Sequence, residues 1–299
     1  MTFRKPILVT GSHRSGSTWV GHIIANAPKV KLVYEPFNLN TAGQRQLPFR
    51  YWNEYVSYNT KHSHQEVKRK IKGLYGFKRS QLNYPYDTLS LENLRLYFYR
   101  IWASLTYRPL LKDPIAIFSA PWIYEEFKSD VVVIIRHPAA FVASLKVAHW
   151  PFDFSHFLEQ KELLNDYLGD YREEIKSFSE SPRSIVEQGC LLWNIMYSTV
   201  AKFQTTYANQ WYFVTHEQLS LEPKLEFTAL LDYLGLTYTK RVQEKIRTTT
   251  NSKEVDEHHR NSQENIKTWK KRLSSEEIRY IKAKTSNVWP HFYGEPDWE

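Results

Sequence analysis

The sequence predicts a doubly wound α/β fold, with one central parallel sheet flanked by helices in three layers. Two observations carry this. Short apolar runs without polar alternation mark strands that are covered on both faces. Amphipathic segments of helical period separate those runs along the whole length. The strands are expected at residues 7–10, 30–34, 109–112, 131–135 and 211–215, of which Val131-Val132-Val133-Ile134-Ile135 is the most uniformly apolar. Val20, Ile23, Ile24 and Ala27 repeat at helical spacing, as do Phe227, Leu230, Leu231 and Leu234. The second of these helices should open at Pro223 and stop at Gly235, the usual asymmetry of helix ends. Trp193, Met196, Val200 and Phe203 mark a further helix across 184–208. The stretch 40–93 is polar, aromatic and basic, with one helix expected around 63–74. It reads as a substrate-side insertion over the sheet's ligand edge, within a single domain covering 1–299.

Composition narrows the classes. The 299 residues are 42% hydrophobic and 24% charged, a globular balance that excludes a disordered chain and allows a sizeable core. Gly is scarce at 10 while aromatics reach 15%, which excludes collagen-like and Gly-rich architectures. The apolar runs are strand-sized, far short of the roughly 20 residues a membrane helix needs, so no transmembrane segment is expected. A strand-like segment begins at Pro6, leaving no room for a signal peptide. The single cysteine, Cys190, has no internal disulfide partner and no zinc-ligand spacing around it, and a cytoplasmic location follows as the expectation. Lys and Arg number 40 against 32 Asp and Glu, a net charge of +8, which favours anionic partners without specifying them.

The most informative segment is Val9-Thr10-Gly11-Ser12-His13-Arg14-Ser15-Gly16-Ser17-Thr18-Trp19. A strand ends, a loop with two glycines five apart follows, and a helix begins near Ser17. Such a turn aims backbone N–H groups and the positive end of a helix dipole at one spot. Ser15, Ser17 and Thr18 add hydroxyl donors and Arg14 adds a full charge. Gly11, Gly16 and Thr18 match the nucleotide P-loop, but Ser17 stands where its lysine belongs. The fold is therefore P-loop-like, with a phosphate-binding turn unsuited to ordinary Mg-nucleotide hydrolysis.

A second anion site is expected where the strand at 131–135 ends in Arg136-His137-Pro138. Pro138 suits a first helical turn. Ser144 lies about two turns further on, back near the strand end, so Arg136 and Ser144 can grip one anion. A strand built to hold magnesium should end in Asp or Glu, and this one ends in Arg. Two anion sites on one sheet edge, without a magnesium carboxylate, fit a ligand carrying two separated phosphate groups.

These residues resemble the sulfotransferases that use 3′-phosphoadenosine 5′-phosphosulfate (PAPS). Arg14-Ser15-Gly16-Ser17-Thr18-Trp19 resembles that family's 5′-phosphosulfate loop, and Arg136 with Pro138 and Ser144 resembles its 3′-phosphate motif. The Arg-Ser-Gly-Ser start, followed by Glu35-Pro36-Phe37, is closest to carbohydrate sulfotransferases and their bacterial relatives. Weaker likeness extends over 219–236 and from Arg260-Asn261-Ser262 to Trp269-Lys270. The resemblance implies sulfuryl transfer from PAPS to an acceptor hydroxyl on a carbohydrate or glycolipid, leaving adenosine 3′,5′-bisphosphate (PAP), with no metal. It implies that Arg14 and the amides of Gly16 to Trp19 stabilise the leaving phosphate, assisted by Lys112. It also implies that Arg260 and Ser262 close over the 3′-phosphate and adenine. Glu35 is the preferred general base and Asp113 the alternative, because small-molecule members place a catalytic histidine at the position of Asp113. A P-loop kinase or nucleotide hydrolase is disfavoured by Ser17 and Arg136. A non-catalytic nucleic-acid binder lacks a basic run interleaved with aromatics. The expected partner is a small-molecule or carbohydrate acceptor, not nucleic acid.

Overall fold

The computed structural model describes residues 4–40, 47–60, 64–76, 105–250 and 266–299, with positions 95, 98 and 102. Five strands form, β1 (Ile7–Gly11), β2 (Val30–Tyr34), β3 (Arg108–Lys112), β4 (Asp130–Ile135) and β5 (Tyr212–Thr215). They join one sheet in the order β2-β3-β1-β4-β5, and every neighbouring pair is parallel. Parallel neighbours require crossovers, and helices supply them. Those that shape the site are α1 (Ser17–Ala25), α2 (His64–Tyr75), α3 (Ala120–Phe127), α4 (Pro138–Ala148), α5 (Ile185–Thr206), α6 (Pro223–Tyr233), α7 (Lys240–Thr250) and α8 (Ser275–Lys284).

The uniformly apolar strands are explained by their two packed faces. Ile7, Val9, Leu110, Val132 and Ile134 meet Val20, Ile23 and Ile24 of α1, Phe227 and Leu231 of α6, and Val242 of α7. Leu8, Leu111, Val131, Val133 and Ile135 belong to the opposite core with α3, α4 and α5. Burying an aliphatic side chain of this kind contributes about 1.5–3 kcal/mol, so a one-residue slip of any strand is strongly disfavoured. Helix α5 is fixed at its start by a reciprocal cap. Ser184 Oγ accepts from the Glu187 amide at 3.2 Å, and Glu187 Oε2 accepts from the Ser184 amide at 3.0 Å, an arrangement typically worth about 1 kcal/mol.

Four strand ends differ by one residue from expectation: β1 runs on to Gly11 and β4 starts at Asp130, where their ladder extends, and the starts of β3 and β5 each have a side-chain reason. β3 starts at Arg108, whose guanidinium pairs with Asp130 and donates to the Lys5 carbonyl at 2.6 Å. β5 starts after Trp211, which instead stacks on Tyr207 with ring centroids 4.1 Å apart. Within 40–93, the described Tyr55, Val56, Val67, Ile71 and Tyr75 are buried in the same core as α3. The helix expected at 63–74 runs over His64–Tyr75.

Candidate active site

Because all five strands are parallel, their carboxyl ends share one edge, where open α/β sheets bind ligands. β1 runs into the Gly11–Gly16 turn, β2 into Glu35, β3 into Lys112 and Asp113, β4 into Arg136 and β5 into His216. A cleft of about 720 Å³ lies over this edge, lined by Arg14, Glu35, Lys112, Arg136, Ser144 and others. The two arginines whose convergence the sequence required therefore face one cavity.

The turn after β1 is held by close backbone approach. Gly16 caps α1 at φ 94°, and a Cβ there would sit 2.4 Å from Cδ2 of His216. Arg14 itself has φ 62°, a left-handed conformation that a non-glycine residue adopts only under constraint. The first-turn amides of α1 have no intrahelical acceptor, and Ser17, Thr18 and Trp19 line the cleft beside them. Ser15 departs from expectation. Its amide donates to the Ser12 carbonyl at 3.2 Å, and its fully buried hydroxyl lies beneath the turn toward Gly11. That hydroxyl has no hydrogen-bond partner among the described residues, and Ser15 does not line the cleft. Ser12 Oγ is 2.9 Å from the Tyr197 hydroxyl, which also accepts from the Arg136 amide at 3.0 Å. One buried tyrosine of α5 thus joins the β1 turn to the end of β4.

At the second motif, Pro138 opens α4. Ser144 meets a partner other than the one the sequence suggests: Arg14 Nε donates to Ser144 Oγ at 2.8 Å. Arg136 Nε is 3.6 Å from Glu217 Oε1, an ion pair longer than a hydrogen bond, and this buried N–H has no hydrogen-bond acceptor among the described residues. Glu217 is buried, which raises its pKa, and its Oε2 accepts from the Tyr293 hydroxyl at 2.8 Å. The Arg136 carbonyl accepts from Trp193 Nε1 at 2.9 Å.

The candidate bases separate cleanly. Glu35 stands in the cleft with φ 43°, its amide bonded to the Lys112 carbonyl at 2.9 Å. Its carboxylate forms an ion pair with Lys112 through Oε1 and accepts from Asn38 Nδ2 through Oε2 at 3.0 Å. Lys112 is 1% exposed, with its ammonium 4.3 Å from the Tyr34 ring centroid. Gly21 of α1 makes room for it, since a Cβ there would meet Lys112 Cγ at 2.7 Å. Asp113 is fully buried and its oxygens accept from the amides of Phe37 at 2.6 Å and Ile115 at 3.0 Å. Burial pushes its pKa up to about 7. It caps the turn at Pro114–Ser119 and orients the segment after Glu35; it is not among the cleft residues.

The sulfotransferase family model matches residues 6–240 of the chain. The chain belongs to the sulfotransferase family. No curated protein is significantly similar to it in sequence. Among solved structures, the sulfotransferase domain from the curacin biosynthetic pathway is similar at 15% identity, with 95% of this chain and 99% of that one covered and a TM-score of 0.50. The sulfotransferase domain of the Synechococcus PCC 7002 olefin synthase matches at 14% identity, 95% of each chain and a TM-score of 0.47. Mouse sulfotransferase SULT7A1, complexed with PAP, matches at 10% identity, 96% of this chain, 85% of that one and a TM-score of 0.47. Among the described residues of this sulfotransferase, no helix is long and apolar enough to cross a membrane.

The sulfotransferase cleft also contains residues that sequence reading passed over. His216 follows β5 and was findable by the strand-end rule that gave Glu35 and Arg136. Lys245 and Thr249 come from α7 and Arg272 from the C-terminal segment, while Thr268 and Trp269 fall within the stretch of weaker likeness named from the sequence. Trp19 Nε1 donates to Thr249 Oγ1 at 2.9 Å, a pairing that no local pattern announces. Arg260 and Ser262 lie outside the described residues.

Proposed function

We propose that this sulfotransferase takes its sulfuryl group from PAPS and places it on a hydroxyl of a carbohydrate or glycolipid. The observation that carries the reading is the convergence of Arg14, Arg136, Ser144 and the Glu35–Lys112 pair on one cleft. A buried arginine N–H without an acceptor among the described residues, at Arg136, suits an incoming phosphate oxygen. Such groups are costly to leave unmet.

When bound, the donor supplies a sulfur that takes the acceptor oxygen as its bond to the 5′-phosphate breaks, leaving PAP. The protein's part is positioning and charge. Glu35 accepts the proton of the attacking hydroxyl. Protonation removes the charge that Lys112 pairs with, releasing the ammonium for the leaving phosphate oxygen. Arg14 and the first-turn amides of α1 stabilise the same developing charge, each good donor lowering the barrier by up to about 3–4 kcal/mol. Arg136 holds the 3′-phosphate, and Arg14, bonded to Ser144, ties the two anion sites together. The proposal includes a cytoplasmic location, supported by a single, buried cysteine at position 190.

Thermal stabilisation tests the donor. PAP in excess chelator should raise Tm, by mass action on the folded state. Stabilisation by Mg-ATP alone would turn the assignment toward phosphoryl transfer. Labelled PAPS offered with sugar, lipid and phenolic acceptors then reads the acceptor directly; label arriving only on phenols would overturn the carbohydrate reading.

A further inference from the structure

A second, smaller chamber of about 170 Å³ adjoins the main cleft, and His13, Trp52, Ile115 and Trp150 line both. Its chemistry differs from that of the cleft. No Lys or Arg among the described residues lines it, whereas the cleft carries Arg14, Lys112 and Arg136. Burial lowers the His13 pKa to about 4, so its imidazole is a neutral wall.

The polar groups of the chamber form a defined set. Asn53 is 2% exposed, and its Oδ1 has no hydrogen-bond partner among the described residues. A buried acceptor of this kind calls for a donor. The Asn53 backbone sits at φ 57°, a left-handed conformation that Asn adopts more readily than other non-glycine residues. Asp153 takes the Ser155 amide on Oδ1 at 2.9 Å, and bonds from Ser155 hold its carboxyl below the usual range. It remains an ionised acceptor. His156 Nδ1 accepts from the Trp52 amide at 3.4 Å, which assigns the ring proton to Nε2 and makes the side chain an N–H donor. Trp52, Trp150 and Phe152 supply the apolar faces, and Trp150 is 43% exposed at the rim.

Two acceptors, one donor and aromatic faces in a space for a single ring describe a particular ligand. A hydrocarbon tail would leave Asn53 unmet and strip water from Asp153. A carboxylated or sulfated ring would meet the Asp153 charge with no Lys or Arg among the described lining residues to offset it. A pyranose offers hydroxyl donors at its edge and C–H groups on its faces. We propose that the chamber is an acceptor subsite for a neutral, polyhydroxylated ring, the sugar unit adjacent to the one that is sulfated. This rests on the main cleft being the transfer site, and it makes the smallest good acceptor a disaccharide.

The test is equilibrium binding by saturation-transfer NMR titration in the absence of donor. Lactose, cellobiose, maltose and diacetylchitobiose are each compared with the corresponding methyl monoglycoside, and with phenol. The proteins are wild type, Trp150→Ala, a rim change, and Asn53→Gly, which removes the amide while tolerating φ 57°. At least one disaccharide should bind about tenfold tighter than its monoglycoside; both variants should erase that advantage, and Asn53→Gly, whose side chain lines the chamber alone, should keep full stabilisation by PAP. An advantage absent from every pair, one retained in both variants, or phenol binding in preference to all sugars overturns the subsite. Loss of PAP stabilisation in wild type would instead count against the donor assignment, with the sugar titration still deciding the chamber.

Discussion

Arg14 Nε donates to Ser144 Oγ at 2.8 Å across 130 positions of sequence. One residue belongs to the turn after β1 and the other to α4, so the bond ties together the two motifs proposed to hold the donor's two anionic ends. Removing Ser144 should therefore disturb both ends of the donor. Ser144→Ala is expected to weaken PAP binding about tenfold, the size of one charge-assisted hydrogen bond. Arg14→Ala should reduce the transfer rate about 10²–10³-fold. Calorimetry with PAP and single-turnover transfer read the two effects separately; unchanged PAP affinity in Ser144→Ala would refute the bridge.

Arg136→Ala acts on affinity more than on turnover. Its guanidinium stands beside the buried Glu217, and β1 lies between the strand it follows and β3, which carries Lys112. Loss of a charged hydrogen bond to the 3′-phosphate corresponds to about 1.5–3 kcal/mol. The donor KM should rise accordingly while kcat at saturating donor stays within a few fold. A collapse of kcat with unchanged KM would reassign the residue.

Glu35→Gln should lower kcat about 10²–10⁴-fold, the range for loss of a positioned base, with PAP affinity near that of wild type. It also leaves the Lys112 ammonium buried without its carboxylate, so Tm should fall as well. Retained turnover in a folded Glu35→Gln protein would remove Glu35 from the base role. Asp113→Asn offers the contrast. It disrupts the amide contacts to Phe37 and Ile115 and should cost stability more than chemistry in an activity assay normalised to folded protein.

Gly21→Ala provides a test that itself removes no polar group. In a helix this change ordinarily gains up to about 1 kcal/mol. Here the new Cβ would lie 2.7 Å from Lys112 Cγ, and overpacking of that kind costs about 1–3 kcal/mol. The clash should win and displace the Lys112 ammonium from Glu35. Turnover should drop with PAP binding preserved, whereas a more stable and fully active variant would show that Lys112 is free to shift.

Acid should destabilise the fold partly through His137. Its ring is 2% exposed, stacks on Trp269 with centroids 5.3 Å apart, and has both nitrogens without partners among the described residues. Burial, with Arg136 and Lys267 nearby, lowers its pKa from 6.5 to about 3. Between those values the unfolded chain binds more protons, so this group's contribution is complete above pH 6.5 and is lost as pH falls toward 3. His137→Phe should flatten the decline in Tm between pH 7 and pH 4 relative to wild type. Asp113, raised by burial, titrates in the opposite sense in both proteins and cancels from the comparison. Parallel Tm curves would sink the prediction.

Much of the architecture is local chemistry and could be read directly. The apolar runs at 7–10 and 131–135 are strands because unbroken Val and Ile tolerate two packed faces. Pro223 and Pro138 start helices because their missing N–H costs nothing there. The Gly11–Gly16 turn was likewise legible, since only certain residues reverse the chain so tightly. What escaped depends on neighbours distant in sequence. The hydroxyls of Ser15 and Ser17 look equivalent on paper, yet one lies under the loop and the other lines the cleft. Glu35 and Asp113 both follow strands, and only packing decides which carboxylate meets solvent and which meets backbone amides.

The amino-acid order by itself determined the alternation of strands and helices, the two anion-binding motifs and the carboxylates available as bases. Tertiary structure decided that Arg14 holds Ser144, that Lys112 is buried against Glu35, and that a chamber lined by no described Lys or Arg opens beside a cationic cleft. The reason is the sheet order β2-β3-β1-β4-β5. It sets β1 between two strands that lie about a hundred residues away along the chain, and side-chain chemistry is fixed by whatever that arrangement brings within reach.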